Sequence, residues 1–350
     1  MSTDIPDTMK AVLYHEFGGP EVLHCEETPT PAPGHGEALV KVLAVAVDYI
    51  QLHIHRGGSG RIGSAHESSY GINRPPHFPG GMACVEVVAL GPEVEGVAVG
   101  TRHLVGSLRP GACVEFGVVD ATDLPLRPDG RPGTTAYPPS FSPVQAAAFD
   151  YAPVAYHTLR VAAGLQAGET VLIHAAAGGT GVLAVQLAKT FGARILATAG
   201  SPEKLEQVRE LGADVAINYR TEDFVAAALE ATDGCGVDVV WESVGGEVFS
   251  RSLDCIAAGG RMVSFGSNTF TGVGLVDFWP FWVKNLKLIG WGGESNTQAR
   301  APEIMEELIS LAEAGKLRPV VSHTYGFEDA SAAHRLVEER NSIGKVVLVP

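Results

Sequence analysis

The chain has 350 residues, enough for two domains at ~100–200 residues each. Hydrophobic residues make up 45%, charged residues only 19%, and there are 42 glycines, a composition that excludes long disordered segments. A net charge of −15, a pI near 5.2 and the lack of a basic patch exclude nucleic acid and anionic membrane surfaces as partners.

The first ten residues, MSTDIPDTMK, are polar rather than basic-plus-apolar, and no apolar run reaches the ~18 residues that span a bilayer, so a cytoplasmic location is expected. Cys25, Cys84, Cys113, Cys235 and Cys255 are scattered with no Cys-x-x-Cys pair, and read as small core residues in a reducing compartment.

Residues 10–135 are rich in Val, Gly and Pro, and short β-like runs at 38–47, 84–90 and 100–105 are broken by turn residues. Residues 57–69 (GGSGRIGSAHESS) read as a flexible loop. From Ser142 the texture changes. Apolar helical stretches alternate with Val/Ile runs at 170–175, 194–198, Val215–Asn218, Val237–Glu242 and 261–265, the pattern of a parallel sheet with right-handed crossovers. The tail adds a helix at 302–314, strand-like ends at 323–327 and Lys345–Val349, and a helix-like 329–340 between them. The expected fold is α/β, a Rossmann doubly wound parallel sheet inserted in a mostly-β domain, with the active site in a cleft between the two. Boundaries are expected at 1–140, 141–288 and 289–350, the last returning to the first domain.

The strongest constellation is VLIHAAAGGTGV (171–182) followed by a helix-like run: strand, glycine turn and helix in the order a dinucleotide needs. Glycines let backbone amides approach a pyrophosphate, and the positive end of the following helix favours its charge. Gly178 and Gly181 fill the second and third slots of G-x-G-x-x-G, and Ala176 stands in the first. The competing reading is a tight packing turn without a ligand. The next strand should end in a carboxylate if the ribose 2′-hydroxyl of NAD is held, but Ala199 occupies that slot. Ser201 and Lys204 instead offer a donor and a cation for a 2′-phosphate, so NADPH is the expected cofactor, against the reading of Lys204 as a solvated lysine in the first turn of a helix.

The segments AAAGGTG (175–181), INYR (217–220), ESVGG (242–246) and MVSFG (262–266), with Gly91-Pro92, GTR (100–102) and GKVV (344–347), resemble the zinc-independent, zeta-crystallin-like quinone oxidoreductases of the medium-chain dehydrogenase/reductase superfamily. The resemblance runs over essentially the whole chain. It implies a GroES-like catalytic domain carrying the inserted Rossmann domain, and a homodimer. It also implies that Ala177, Gly178, Gly179, Thr180 and Gly181 cradle the pyrophosphate, and that Ser201, Lys204, Tyr219 and Arg340 grip the 2′-phosphate. Phe265, Gly266, Ser267, Ile289 and Trp291 are then expected beside the nicotinamide.

Zinc-dependent members carry a four-cysteine lobe, which these scattered cysteines cannot build. The positions matching their three catalytic zinc ligands are Asp48, Gly81 and Asp150, so the middle one has no side chain and no metal is expected. A competing reading has His53, His55 and His77 rebuild a site, although scattered histidines are more often surface or hydrogen-bonded structural residues.

Without a metal, a quinone or other conjugated carbonyl is the expected acceptor, because charge arriving with the hydride spreads through its π-system to oxygen. Asp48, Tyr70 and Asp150 are the candidate proton donors, with His53 as a relay. Mutual repulsion of the two carboxylates would lift one pKa. The plainer roles are that Asp150 caps a helix, Asp48 holds a backbone amide and Tyr70 lines a pocket. Trp279, Phe281 and Trp282 suit either a dimer interface or the cover of an apolar pocket. Two other readings stand beside this one: a biosynthetic enoyl or ketone reductase with a specialised substrate, and a catalytically quiet NADPH-binding protein with a structural or RNA-binding role, the RNA role being opposed by the low pI.

Overall fold

The computed structural model describes residues 5–57, 74–106, 108–124, 137–266, 277–292 and 302–350. Two units emerge, Met1–Asp150 with Val320–Pro350, and Tyr151–Pro319.

The first unit begins with β1 (Thr8–Leu13) and β2 (His24–Pro29), an antiparallel pair. β3 (Glu37–Ala46) then pairs antiparallel with both β4 (Ala83–Leu90) and β6 (Phe116–Asp120), while β5 (Arg102–Val105) borders β4. The β3–β4 register shifts twice, between Leu39 and Val40 and between Val42 and Ala44, and such irregularities bend a ladder and increase its twist. Val40, Val42, Val85, Val87, Val118 and Leu348 are among the residues that fill the core.

The second unit is a parallel sheet of β7 (Thr170–Ile173), β8 (Arg194–Ala199), β9 (Val215–Asn218), β10 (Val237–Glu242), β11 (Ile256–Ser264) and β12 (Lys287–Gly290). Its spatial order, β12-β11-β10-β7-β8-β9, is that of the doubly wound dinucleotide fold, with the reversal of chain direction across the sheet between β7 and β10. Arg261 on β11 ties this unit together. Its guanidinium donates to both carboxylate oxygens of Glu169 (2.9 and 2.6 Å) and to the carbonyls of Ala163 and Gly164.

The chain returns to the first unit with β13 (Val321–Gly326) and β14 (Lys345–Val349), which are parallel to each other. β14 lies antiparallel to β3, with Val347 opposite Ala46 and Leu348 opposite Val45.

The junctions differ from the expected 140/141 and 288/289. The helix Pro143–Ala148, closed by a capping box between Ser142 and Gln145, buries Ala146, Ala147 and Ala148 in the first unit, against β3, β4 and β14. The helix Pro302–Glu313 stays with the second unit, where Glu307 accepts a hydrogen bond from the Tyr156 hydroxyl (2.6 Å). An apolar face tells that a helix is buried, not which sheet it covers.

Candidate active site

In a doubly wound sheet, ligands bind at the carboxyl ends of the strands beside the switch point. Here that is the turn after β7. The Gly178 amide is spent on the Ala175 carbonyl (2.9 Å) and the Val182 amide on the Gly178 carbonyl (3.0 Å). No acceptor for the amides of Gly179, Thr180 and Gly181 is found among the described residues, and they stand at the mouth of the helix Gly181–Thr190. A Cβ on Gly181 would collide with the Ala175 carbonyl oxygen and lie 2.7 Å from two Ala176 backbone atoms, whereas one on Gly178 would meet only Ala175 O at 3.2 Å. Gly181 is therefore required by the turn itself, and Gly178 is not. Ala175 takes a positive φ of 50°, so the left-handed step of the turn falls on an alanine. Ala177 is buried at its centre.

At the ends of β8 and β9, Ala199 is buried and offers no carboxylate. Ser201 is the N-cap of the helix Pro202–Leu211, its hydroxyl accepting from the Lys204 amide (3.4 Å). A Cβ on Gly200 would lie 2.6 Å from the Tyr219 hydroxyl and 3.1 Å from Arg220 Nε, so both side chains lean over this turn. Lys204 is half-buried rather than fully solvated. Ser201, Tyr219 and Arg220 thus gather at one corner; Arg220 was absent from the residues expected there, although the INYR segment contains it. Arg340 belongs to the first unit, with a φ of 57° just past the helix Ala330–Glu338, and its part in gripping a phosphate rests on the resemblance alone.

The ends of β10, β11 and β12 bring Phe265, Gly266, Ile289 and Trp291 together. Phe265 packs against Trp241 (4.4 Å between ring centroids) and edge-on to Trp291 (6.5 Å), and Ile289 pairs with Val263. Ser267 lies outside the described residues. Trp291 Nε1–H donates to His157 Nδ1 (2.8 Å), which leaves the neutral imidazole its proton on Nε2. His157 opens a π-helical segment, His157–Ala162, a local irregularity that no sequence periodicity signals. Glu242, fully buried, accepts from the amides of Val244 (2.5 Å) and Gly245 (2.7 Å); burial pushes its carboxyl upward, with those amides and Ser264 opposing.

The candidate proton donors lie in the first unit. Asp48 is the N-cap residue of the helix Tyr49–His55 but makes no side-chain cap hydrogen bond. Its Oδ1 accepts instead from Lys345 Nζ, which also lies 3.3 Å from Asp150 Oδ1 and 3.4 Å from Asp150 Oδ2. Asp150 likewise is no N-cap, since Tyr151 holds that place in the next helix. All three side chains are buried. The expected repulsion between two carboxylates is replaced by attraction to a shared ammonium. Burial disfavours the charge on Lys345, but Asp150 and Asp48 outweigh it, and the net effect raises its pKa.

His53 sits on the same helix, edge-on to Tyr49 (6.5 Å), and is buried rather than at the surface; burial, then the neighbouring His55, lowers its pKa to about 4. His55 is also buried, its Nδ1 against the Gly18 carbonyl (2.8 Å). Tyr70 lies outside the described residues.

The zinc-ligand positions do not suit a metal. Gly81 brings no donor, and a Cβ there would strike Asp48 Oδ2, so a larger residue requires this carboxylate to move. The remaining two carboxylates already share Lys345. Among the described residues, no group of three or more His, Cys, Asp or Glu could hold an ion.

Comparison with known proteins agrees with this architecture. Residues 34–128 match the alcohol dehydrogenase GroES-like domain, and residues 211–348 match a family described as zinc-binding dehydrogenase. A quinone oxidoreductase of Pseudomonas aeruginosa is 31% identical over 97% of this chain and 99% of its own length. A 2-haloacrylate reductase from Burkholderia is 30% identical over 97% and 98%. The crystal structure of Escherichia coli quinone oxidoreductase complexed with NADPH superposes with a TM-score of 0.83 at 30% identity, covering 97% of this chain and all (100%) of that one.

Proposed function

This chain belongs to the quinone oxidoreductase family of the medium-chain dehydrogenases and reductases, and from that premise we propose that it is an NADPH-dependent reductase delivering hydride to a quinone or another conjugated carbonyl, with no metal ion taking part. The observation that carries the cofactor side is the corner at Gly200, where Tyr219, Arg220 and the Ser201 cap surround a position that has Ala199 in place of a ribose-binding carboxylate. The metal-free side rests on the failure of Asp48, Gly81 and Asp150 to form a zinc donor set.

Bound NADPH supplies the hydride. The amides of Gly179, Thr180 and Gly181 hold its pyrophosphate. Lys204 and Arg220 would neutralise the 2′-phosphate and the hydroxyls of Ser201 and Tyr219 would donate hydrogen bonds to it, while Phe265, Gly266, Ile289 and Trp291 would shape the nicotinamide end. Asp48, Asp150 and Tyr70 are the residues proposed to move the proton that follows, with His53 in reserve. Within the ionic cluster the transferable proton sits on Lys345 Nζ, hydrogen-bonded to Asp48, so Asp48 acts as relay rather than as a lone acid. The similarity to a 2-haloacrylate reductase supports a second acceptor class, conjugated acids.

We place the protein in the cytoplasm as a homodimer. All five cysteines are free. No helix among the described residues is long and apolar enough to cross a membrane. β12 is a sheet edge with Leu288 exposed, and Phe278, Trp279, Trp282 and Val283 beside it are 60–72% exposed, a patch suited to a second copy.

NADPH oxidation should be followed against quinones, enones, enoyl thioesters and simple aldehydes after chelator treatment, with NADH as control. Turnover restricted to NADPH and conjugated acceptors, and indifferent to chelator, is expected. Loss of activity on chelation, or equal rates with NADH, would refute the reading.

A further inference from the structure

Beyond any part in moving a proton, Lys345 is a buried charge that the fold has to accommodate. An ammonium ion loses several kcal/mol of hydration on entering a protein interior, and nothing but a matched set of anions recovers that loss. Here the match is built from three distant parts of the sequence. β14 runs antiparallel to β3, and continuing its register two residues beyond Val347 and Ala46 sets Lys345 opposite Asp48. The ladder does continue in part, since the Val47 amide donates to the Val346 carbonyl (2.9 Å). The helix Pro143–Ala148 packs on β3 and β14, and the chain leaving it delivers Asp150 to the other side of the ammonium.

The two anions are the first and third of the positions that match zinc ligands, and the second, Gly81, is kept bare by the other oxygen of Asp48. The same geometry that would gather ligands about a divalent ion therefore gathers them about an amine.

We infer that Lys345 is the resident cation of this site: its ammonium, held by Asp48 and Asp150, stands in for a metal ion and keeps divalent ions out. The inference concerns the folded protein itself and does not depend on which acceptor is reduced, nor on NADPH being the reductant. It also makes Lys345 a positioning residue, because one oxygen of Asp48 is fixed on the amine while the other is turned over Gly81.

The test uses the full chain and reads thermal stability and bound metal. Lys345→Met removes the charge at nearly constant volume and takes the ammonium away from two buried carboxylates, and should lower the melting midpoint by roughly 10 °C. The triple variant Lys345→Met, Asp48→Asn, Asp150→Asn removes all three charges and should recover most of that loss. Lys345→Ala, which leaves room for a small amine, should be stabilised by methylammonium chloride and not by equal sodium chloride. Wild-type protein equilibrated with zinc and then dialysed should retain none in stoichiometric amount.

The inference is overturned if Lys345→Met melts like wild type, if the triple variant is as unstable as the single one, or if the wild type retains one zinc per chain that Asp48→Asn abolishes. Should Lys345→Ala fail to fold, the triple variant and the zinc measurement still decide.

Discussion

Lys345 and Asp48 are 297 positions apart in the chain and meet as a buried ion pair, because β14 is laid against β3 in a register that faces one with the other. The consequence reaches Gly81. A methyl group there would occupy the space of Asp48 Oδ2, so Gly81→Ala must push the carboxylate off its place. The expected cost is roughly 1–3 kcal/mol in denaturant titrations. In a background where Asp48 and Lys345 are already Ala and Met the same substitution should cost almost nothing, and such non-additivity is the signature of direct contact. Equal costs in both backgrounds would show that Gly81 is constrained by something else.

The two glycines of the nucleotide turn should separate binding from folding. Gly181→Ala meets protein backbone and should destabilise the second unit, with a fall in melting midpoint even in the absence of nucleotide. Gly178→Ala has only a 3.2 Å contact to accommodate and should melt within a degree or two of wild type, yet weaken NADPH about tenfold or more because its methyl group projects where the pyrophosphate approaches. Isothermal titration with NADPH checks the pair. Unaltered affinity in Gly178→Ala would remove the turn as the pyrophosphate site.

Cofactor choice gives a third test. Lys204→Ala and Arg220→Ala should each raise KM for NADPH by about tenfold, the loss of one charge-assisted contact, while leaving the KM for NADH unchanged. If both cofactors weaken in parallel, these residues support the fold and do not read the phosphate.

Stability should fall in mild acid for a reason that can be assigned. His174 and His334 are buried, and burial holds the pKa of each near 3, against 6.5 in an unfolded chain; for His334 the neighbouring His55 adds to the effect. As pH falls below 6.5 the unfolded chain takes up protons that the folded one refuses, so their contribution is complete above that value and declines as pH drops toward 3. Each such histidine adds up to ~1.4 kcal/mol per pH unit to the slope. Replacing His334 by Gln should flatten the dependence of the unfolding free energy between pH 6 and 4.5. An unchanged slope would mean that the ring is already protonated in the folded protein.

Much of the second unit was legible before any coordinates. Val215–Asn218 and Val237–Glu242 begin and end where alternation of apolar runs and helical stretches puts them, and the glycine turn is announced by its place between a strand and a helix. The end of the second strand at Ala199 was also legible, because the second strand of a dinucleotide fold ends at a predictable distance. Arg220 and His157 were not. The first reaches its corner by leaning over Gly200 from the end of β9, and the second accepts a hydrogen bond from the indole of Trp291.

The sequence by itself determined the fold class, the glycine turn after the first strand of the parallel sheet, the absence of a carboxylate at Ala199 and the bare glycine among the zinc-ligand positions, since all of these follow from local periodicity or from residue identity at fixed spacing. Tertiary structure alone decided what Asp48 and Asp150 do. Read along the chain they are two like charges, but a strand register and a helix packing insert a lysine between them. Hydrophobic patterns specify which face of an element is buried, whereas the partner of a buried charge depends on how distant elements are aligned, and that alignment is written in no single segment.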